Sequence, residues 1–377
     1  VRLRHPDGSL LHLAYCSNVH PADDLDGVSA QLERYTARVR ERLDVPSLGI
    51  GLWVAAPAVA DAGAADRLAE QLRRLSLEVV TLNGFPYQAF HADVVKTDVY
   101  WPHWGEKPRF EYTLGLARLL ARLLPDDVHE GSISTLPLGW REGWSASNQA
   151  ASLRALADLA AELEALERET GKTIRIAMEP EPGCTIETVE QACRSLQGLA
   201  PEWIGVCLDS CHLAVQFETG TGAIGALDAA GLSVVKTQVS SALRVDDPSS
   251  EAGRELLARF DEPKFLHQTR ERVGARVEGT DDLPEALDGA LPGRDQWRVH
   301  FHVPVNASEH TTQDELVDTL GVLAGGAAPR TRHYEVETYT WSVMRDAPAD
   351  DEGLVAGLAG ELEWTRDRLV ALGAEVL

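Results

Sequence analysis

Positive charge is scarce in this chain: 35 Lys and Arg stand against 59 Asp and Glu, a formal net charge of −24 over 377 residues. A field of that sign repels phosphate backbones and anionic lipid, which argues against nucleic acid or a membrane surface as the main partner. Cysteine is scarce too. Cys16, Cys184, Cys193, Cys207 and Cys211 are odd in number and lack zinc-ribbon or knuckle spacing, so buried, reduced thiols are expected rather than a disulfide framework. No apolar run approaches the ~20 residues that cross a bilayer, and no basic–apolar–small pattern near the N-terminus marks a secretory signal. A cytoplasmic protein with no integral membrane segment is the expectation. Internal repeats, low-complexity segments and clear linkers are absent as well, which points to one domain over residues 1–377.

What the chain does hold is enough apolar material for a large core, 44% against 25% charged residues. Short β-like runs alternate with longer helical patterns. The runs are Leu11–Cys16, Leu48–Val54, Val79–Gly84, Ser132–Leu136, Ile174–Glu179, Ile204–Asp209, Val234–Val239, Arg298–Val303 and His333–Thr338. Between them, Phe110–Leu124, Gln149–Glu169 and Leu354–Leu372 carry apolar residues at three- and four-residue spacing. This rhythm predicts an α/β parallel sheet closed into a (β/α)8 TIM barrel. A doubly wound open sheet is the alternative, and no Gly-x-Gly-x-x-Gly follows the first strand to favour it. Nine runs for eight positions leave one extra. Lys264–Glu278 breaks the rhythm and reads as a β-hairpin insertion after strand 7, with halves Phe265–Thr269 and Ala275–Glu278 turning near Gly274. Arg298–Val303 is then either an added strand at the mouth or a barrel strand.

The richest stretch for chemistry is Val206-Cys207-Leu208-Asp209-Ser210-Cys211-His212. It sets a carboxylate at the end of an apolar run and an imidazole three residues later, which a strand turning into a helix projects into one barrel mouth. An Asp capping the next helix beside a buried His is the plainer alternative. Strand parity puts Glu179 inward at the carboxyl-terminal end of its strand. The same parity pairs Cys207 with Asp209, Lys236 with Gln238, His300 with His302, and Glu335 with Glu337. Inward polar groups at several strand ends are destabilising unless something binds there. Glu179, Asp209, His212, His302 and Glu337 are therefore candidate metal ligands, and Glu179, Glu337, Lys236 and His302 are candidate catalytic groups. For Lys236 a salt bridge to an inner carboxylate is the alternative, and for Glu335 a buried ion pair. Substrate contact is assigned to His91, Glu181, Trp101 and His300, with His267 in the hairpin a further candidate. Trp101 and the Trp140–Trp144 segment suggest a lid or stacking platform on mouth loops, against simple packing under those loops.

Leu208-Asp209-Ser210-Cys211-His212, Glu179 and Val336-Glu337-Thr338 resemble the xylose-isomerase-like TIM-barrel superfamily of sugar isomerases, epimerases and abasic-site nucleases. A closer resemblance, to the EboE family of metabolite traffic proteins, spans nearly the whole chain. It rests on Tyr15-Cys16-Ser17-Asn18-Val19-His20-Pro21, Asn83-Gly84-Phe85-Pro86-Tyr87, Ser132-Ile133-Ser134-Thr135-Leu136-Pro137, Glu179-Pro180-Glu181-Pro182, His300-Phe301-His302-Val303-Pro304 and Glu335-Val336-Glu337-Thr338-Tyr339-Thr340-Trp341. The resemblance implies one or more divalent ions (Zn, Mn, Fe or Mg) and a role in secondary metabolism. Two departures stand out. Glu181 occupies the Lys position of the sugar isomerases' Glu-Pro-Lys-Pro, and Gln238 replaces a strand-7 metal-binding His, leaving an amide oxygen as a weaker ligand.

Together these readings describe a metal-dependent isomerase or epimerase acting on a polyol or sugar-like small-molecule metabolite. A phosphoester hydrolase using two or three metals and a non-catalytic metabolite-binding or traffic protein are the alternatives. Exposed barrel helices often pair, so a homo-oligomer is compatible with the chain.

Overall fold

Along Thr173–Met178 the bulky Ile174, Ile176 and Met178 all enter the main apolar core, while Ala177 packs with Cys207 and Val235 in a small cluster of its own. Alternation of this kind makes a strand two-sided, with one face for surrounding helices and one for a barrel interior. The computed structural model describes residues Val1–Leu377. Its barrel strands are β1 (Leu10–Cys16), β2 (Leu48–Trp53), β3 (Leu77–Asn83), β4 (Glu130–Thr135), β5 (Thr173–Met178), β6 (Ile204–Asp209), β7 (Val234–Val239) and β8 (His333–Val336). They run parallel in chain order, and β8 returns to β1 with His333 opposite His12 and Val336 opposite Tyr15, closing the barrel. Arg2–Arg4 pairs antiparallel with β1 and with Glu375–Val376.

The outer helices include Lys107–Leu123, Ala146–Thr170 and Asp351–Ala371. Ala146–Thr170 begins where the Ser145 side chain accepts from Asn148 N and stops at Gly171, whose φ of +69° suits glycine. None of the helices is long and apolar enough to cross a membrane. The barrel interior carries polar layers. Lys236 and Glu335, both fully buried, form an ion pair there. Gly51 makes room for it, since a methyl group at that position would lie 2.1 Å from Glu335 Cδ.

Between β7 and β8 the chain builds a second, antiparallel sheet of four strands. The order across it is Arg276–Thr280, Thr269–Val273, Trp297–Val303, Ser241–Val245. Thr269–Val273 and Arg276–Thr280 pair as a hairpin around Gly274, at φ +63°. The expected halves lay too early: Phe265 instead packs with Phe90 and Tyr339. Trp297–Val303 is not a barrel strand but a middle strand of this sheet. Its Trp297, Val299, Phe301 and Val303 face a separate core with Leu243, Leu257 and Leu283. The opposite parity, Arg298, His300 and His302, is thereby turned away from that core.

Candidate metal centre

Asp209 ends β6 and is also the N-cap of helix Ser210–Val215. Its Oδ1 accepts from His212 N at 2.9 Å and from Ser240 Oγ at 2.8 Å, while the buried Oδ2 has no partner. The capping and ligand readings of this residue are thus compatible, one oxygen for each. Glu179, just beyond β5, likewise has a buried Oε2 without a partner. Glu337, just beyond β8, accepts at Oε1 from Asn18 Nδ2 (2.7 Å) and Asn83 Nδ2 (2.9 Å). One oxygen from each of Glu179, Asp209 and Glu337 lies within 4.8 Å of the other two.

Burial, followed by the charge of its carboxylate neighbours, holds the pKa of Glu179 well above the ordinary value, and the same causes act on Glu337. Buried oxygens with unsatisfied lone pairs are costly on their own. A divalent cation satisfies them, and an all-carboxylate set suits Mg²⁺ or Mn²⁺. The residues present therefore fit the ion that the fold implies. The Gln238 amide is buried at the end of β7 with neither polar atom paired.

Three imidazoles border these carboxylates. His212 Nδ1 lies 2.8 Å from Pro180 O, His302 Nδ1 2.8 Å from Glu337 O, and His300 Nδ1 2.7 Å from Gln268 Oε1. Carbonyl oxygens only accept, so each ring donates from Nδ1. The Gln268 amide orientation is set by its Nε2, which donates to Pro182 O (2.9 Å) and Tyr100 Oη (3.1 Å). Burial pushes His212 down to about 4 and drives His300 well below its ordinary value, so both rings are neutral at physiological pH.

Above this floor lies a cleft open to solvent. Glu179, Glu181, His212, His300, His302 and Glu337 line it, with Asn18 and Asn83; its apolar wall includes Phe85, Phe90, Tyr100, Phe265 and Tyr339. Glu181 accepts from Tyr100 Oη at 2.7 Å, and burial pushes it up to about 8.

Other sequence candidates lie elsewhere. Lys236 does not reach the cleft. It sits in the barrel paired with Glu335, which with Cys207 and Cys16 outweighs burial and keeps the ammonium charged. Lys236 is therefore not a carbonyl-polarising group at the mouth; the lysine that lines the cleft is Lys96, paired with Asp282. Trp101 is 54% exposed and faces a side pocket with Trp140 and Trp144, so its neighbour Tyr100, rather than Trp101, joins the aromatic wall of the cleft. His91 Nε2 bonds Asn18 O at 2.8 Å and stays outside the cleft lining. His267 is buried between Glu262 and the backbone of His300. Asn18, Asn83, Ser240 and Gln268 were not singled out from sequence as site residues. Asn83 could have been, because it ends a barrel strand as Asp209 does.

The model of the xylose isomerase-like TIM barrel family matches residues 48–262, more than half of the chain. No curated protein matches. Among solved structures, a xylose isomerase-like TIM barrel protein from Mycobacterium smegmatis in complex with magnesium is similar at 12% identity and TM-score 0.52, covering 98% of this chain and 94% of that one. A D-allulose 3-epimerase from Methylomonas sp. is similar at 13% identity and TM-score 0.51, covering 95% and 98%. An IOLI protein with a bound zinc atom is similar at 13% identity and TM-score 0.50, covering 96% and 99%. At such identities the likeness concerns the fold, which agrees with the family match. The chain belongs to the xylose isomerase-like TIM barrel family.

Proposed function

We propose that this protein is a divalent-metal-dependent enzyme of isomerase or epimerase type, acting on a polyol or sugar-like small molecule in the cytoplasm. The observation that carries the reading is the trio Glu179, Asp209 and Glu337, converging at strand ends beneath an open cleft, with buried, unpartnered oxygens on Glu179 and Asp209. Likeness in fold to a D-allulose 3-epimerase supports the substrate class. The resemblance of the sequence motifs to EboE-like metabolite traffic proteins supports a place in secondary metabolism.

Glu179, Asp209 and Glu337 would hold the ion, with the Gln238 amide oxygen and His302 Nε2 as further donors. The ion supplies Lewis acidity toward vicinal substrate oxygens. Glu179 and Glu337 stand on the cleft floor, where a carboxylate takes a proton from a carbon next to a carbonyl and returns it. Asn18 and Asn83 hold Glu337 in place through its Oε1. Glu181, kept in its acid form to about pH 8 by burial, is placed to donate a proton from the cleft wall. The apolar Phe85, Phe90 and Phe265 side chains on the cleft wall would limit water around the reacting carbon.

The test is solvent deuterium incorporation. Protein reconstituted with Mg²⁺, Mn²⁺, Zn²⁺ or Fe²⁺ should exchange a carbon-bound proton of at least one member of a ketose, aldose and inosose panel, and Glu337→Gln should abolish that exchange. No exchange with any ion would overturn the reading. Phosphoester hydrolysis is the second reading, favoured by the histidines beside the carboxylates, and turnover of aryl phosphates without deuterium exchange would select it. Tight ligand binding without either turnover would select a binding or traffic role.

A further inference from the structure

We propose that the chain carries a second binding site, for a phosphate group, at the amino-terminal end of the barrel, opposite the cleft. It is independent of the reaction proposed above. A pocket lies there, lined at the strand starts by His12 of β1, Glu130 of β4, Thr173 of β5 and His333 of β8. Parity turns His333, Glu335 and Glu337 inward in succession. Glu337 meets the cleft, Glu335 meets Lys236, and His333 meets this pocket. The fully buried Lys236–Glu335 pair thus separates the two ends.

His12 and His333 are 7% and 3% exposed, and their rings meet edge to face with centroids 5.8 Å apart. The His12 side chain makes no hydrogen bond; only its backbone N–H does, to Arg332 O. His333 Nδ1 lies 2.7 Å from Ser132 Oγ across the barrel, and Ser132 gives its own hydrogen to Thr81 Oγ1 at 2.8 Å. Ser132 therefore accepts and His333 donates from Nδ1. Nε2 of the neutral ring is left as an acceptor without a partner in the chain. Unsatisfied polar atoms at such burial are costly. This end of a barrel ordinarily serves stability, which two unpartnered imidazoles do not. They point to a ligand.

Charge selects its class. The carboxylates of the pocket are already faced by arginines, Asp127 by Arg2 at 2.5 Å and Glu130 by Arg175 at 3.7 Å. Arg332, exposed at the pocket's edge, has no carboxylate partner. Burial, then His12 and the cations Lys236, Arg332 and Arg175, drive the His333 pKa well below its ordinary value, so the ring is neutral. With Arg332 unpaired, the surroundings are positive in a chain whose net charge is −24. A free guanidinium matches the oxygen fork of a phosphate. An acceptor at His333 Nε2 asks for a donor, which a singly protonated phosphate has and a sulfate or carboxylate lacks.

The test is calorimetric titration of the full-length protein, freed of metal by a chelator so that no ion in the cleft captures the anion. Sodium phosphate and sodium sulfate are compared at pH 6, with the ring nitrogens of His12 and His333 followed by ¹⁵N resonance. Phosphate is expected to bind at one equivalent and to shift both rings. Sulfate should bind about 10–100-fold more weakly, because the His333 acceptor then stays unsatisfied. Arg332→Ala, at an exposed position, and His12→Ala should each weaken phosphate binding by about tenfold or more, with thermal melts confirming that both variants are folded. Methyl phosphate separates the sources: tighter binding of the ester supports an organic phosphate, and tighter binding of the free ion supports inorganic phosphate. No saturable phosphate binding, equal affinity for sulfate, or binding that neither variant changes would overturn the site.

Discussion

The two halves of the cleft floor are made by different means. On the barrel side, Glu179, Asp209 and Glu337 sit just at or beyond strand ends, so closure of the sheet brings them together. On the other side, His300 and His302 are carried by an inserted strand whose alternate residues build a small core outside the barrel. The first half inherits its geometry from the fold. The second depends on a separate packing unit pressed against helix Ser210–Val215, where Cys211, Ala214 and Val215 meet Ala242. One mouth is therefore assembled from two parts that can be perturbed separately.

The largest effects should come from breaking each part at its core. Lys236→Ala leaves the buried Glu335 unpaired and should cost about 3–5 kcal/mol, whereas Lys236→Met with Glu335→Leu should recover most of it. Denaturant titration checks both. Phe301→Ala, in the inserted sheet, should remove about 3–5 kcal/mol from local packing. If the halves are independent, that variant keeps its carboxylate-site ion while hydrogen exchange quickens in the inserted strands; loss of that ion would merge them into one unit.

Asp209→Asn and His212→Ala should lower metal content without unfolding the barrel, as read by elemental analysis and thermal melting. Unchanged stoichiometry in both would refute the site as drawn. Asn83→Ala frees Glu337 Oε1 from one of its two amide donors and should weaken metal binding by about 10–100-fold, measurable by competition with a chelating dye.

Metal-free protein should also respond to pH. Burial and neighbouring carboxylates raise the folded-state pKa of Glu179 and Glu337 above the ordinary 4.5. The neutral forms suit the fold, so their contribution is complete below pH 4.5 and is lost as pH rises through the raised values. Thermal melts should show metal-free protein weaker at pH 8 than at pH 6, with a larger rescue by divalent ions at the higher pH. The smallest effect is expected from Trp101→Ala, within about 0.5 kcal/mol and with no change in metal content, because the ring is exposed and off the cleft.

Much of the barrel half was legible because strand periodicity and strand ends are local properties. Ile204–Asp209 and Val234–Val239 have the same bounds in sequence and structure. Parity places Glu179 and Asp209 inward without any knowledge of the neighbours. Lys236 shows the limit of that method. Parity turned it inward, but whether it met the cleft or Glu335 depended on depth along a neighbouring strand and on the space at Gly51. The inserted sheet was harder, since the Trp297–Val303 run carries the same local signal in a barrel as in a small antiparallel sheet.

The sequence by itself determined the alternation that closes the barrel, the strand-end carboxylates and the histidine pair at His300 and His302, because covalent spacing fixes which side chains share a face. Only the tertiary structure decided that those histidines meet His212 from across the mouth, that Asn18 and Asn83 converge on Glu337, and that Lys236 is spent on Glu335. Those contacts join residues far apart in the chain, and their distances follow from packing and register, which no local pattern encodes.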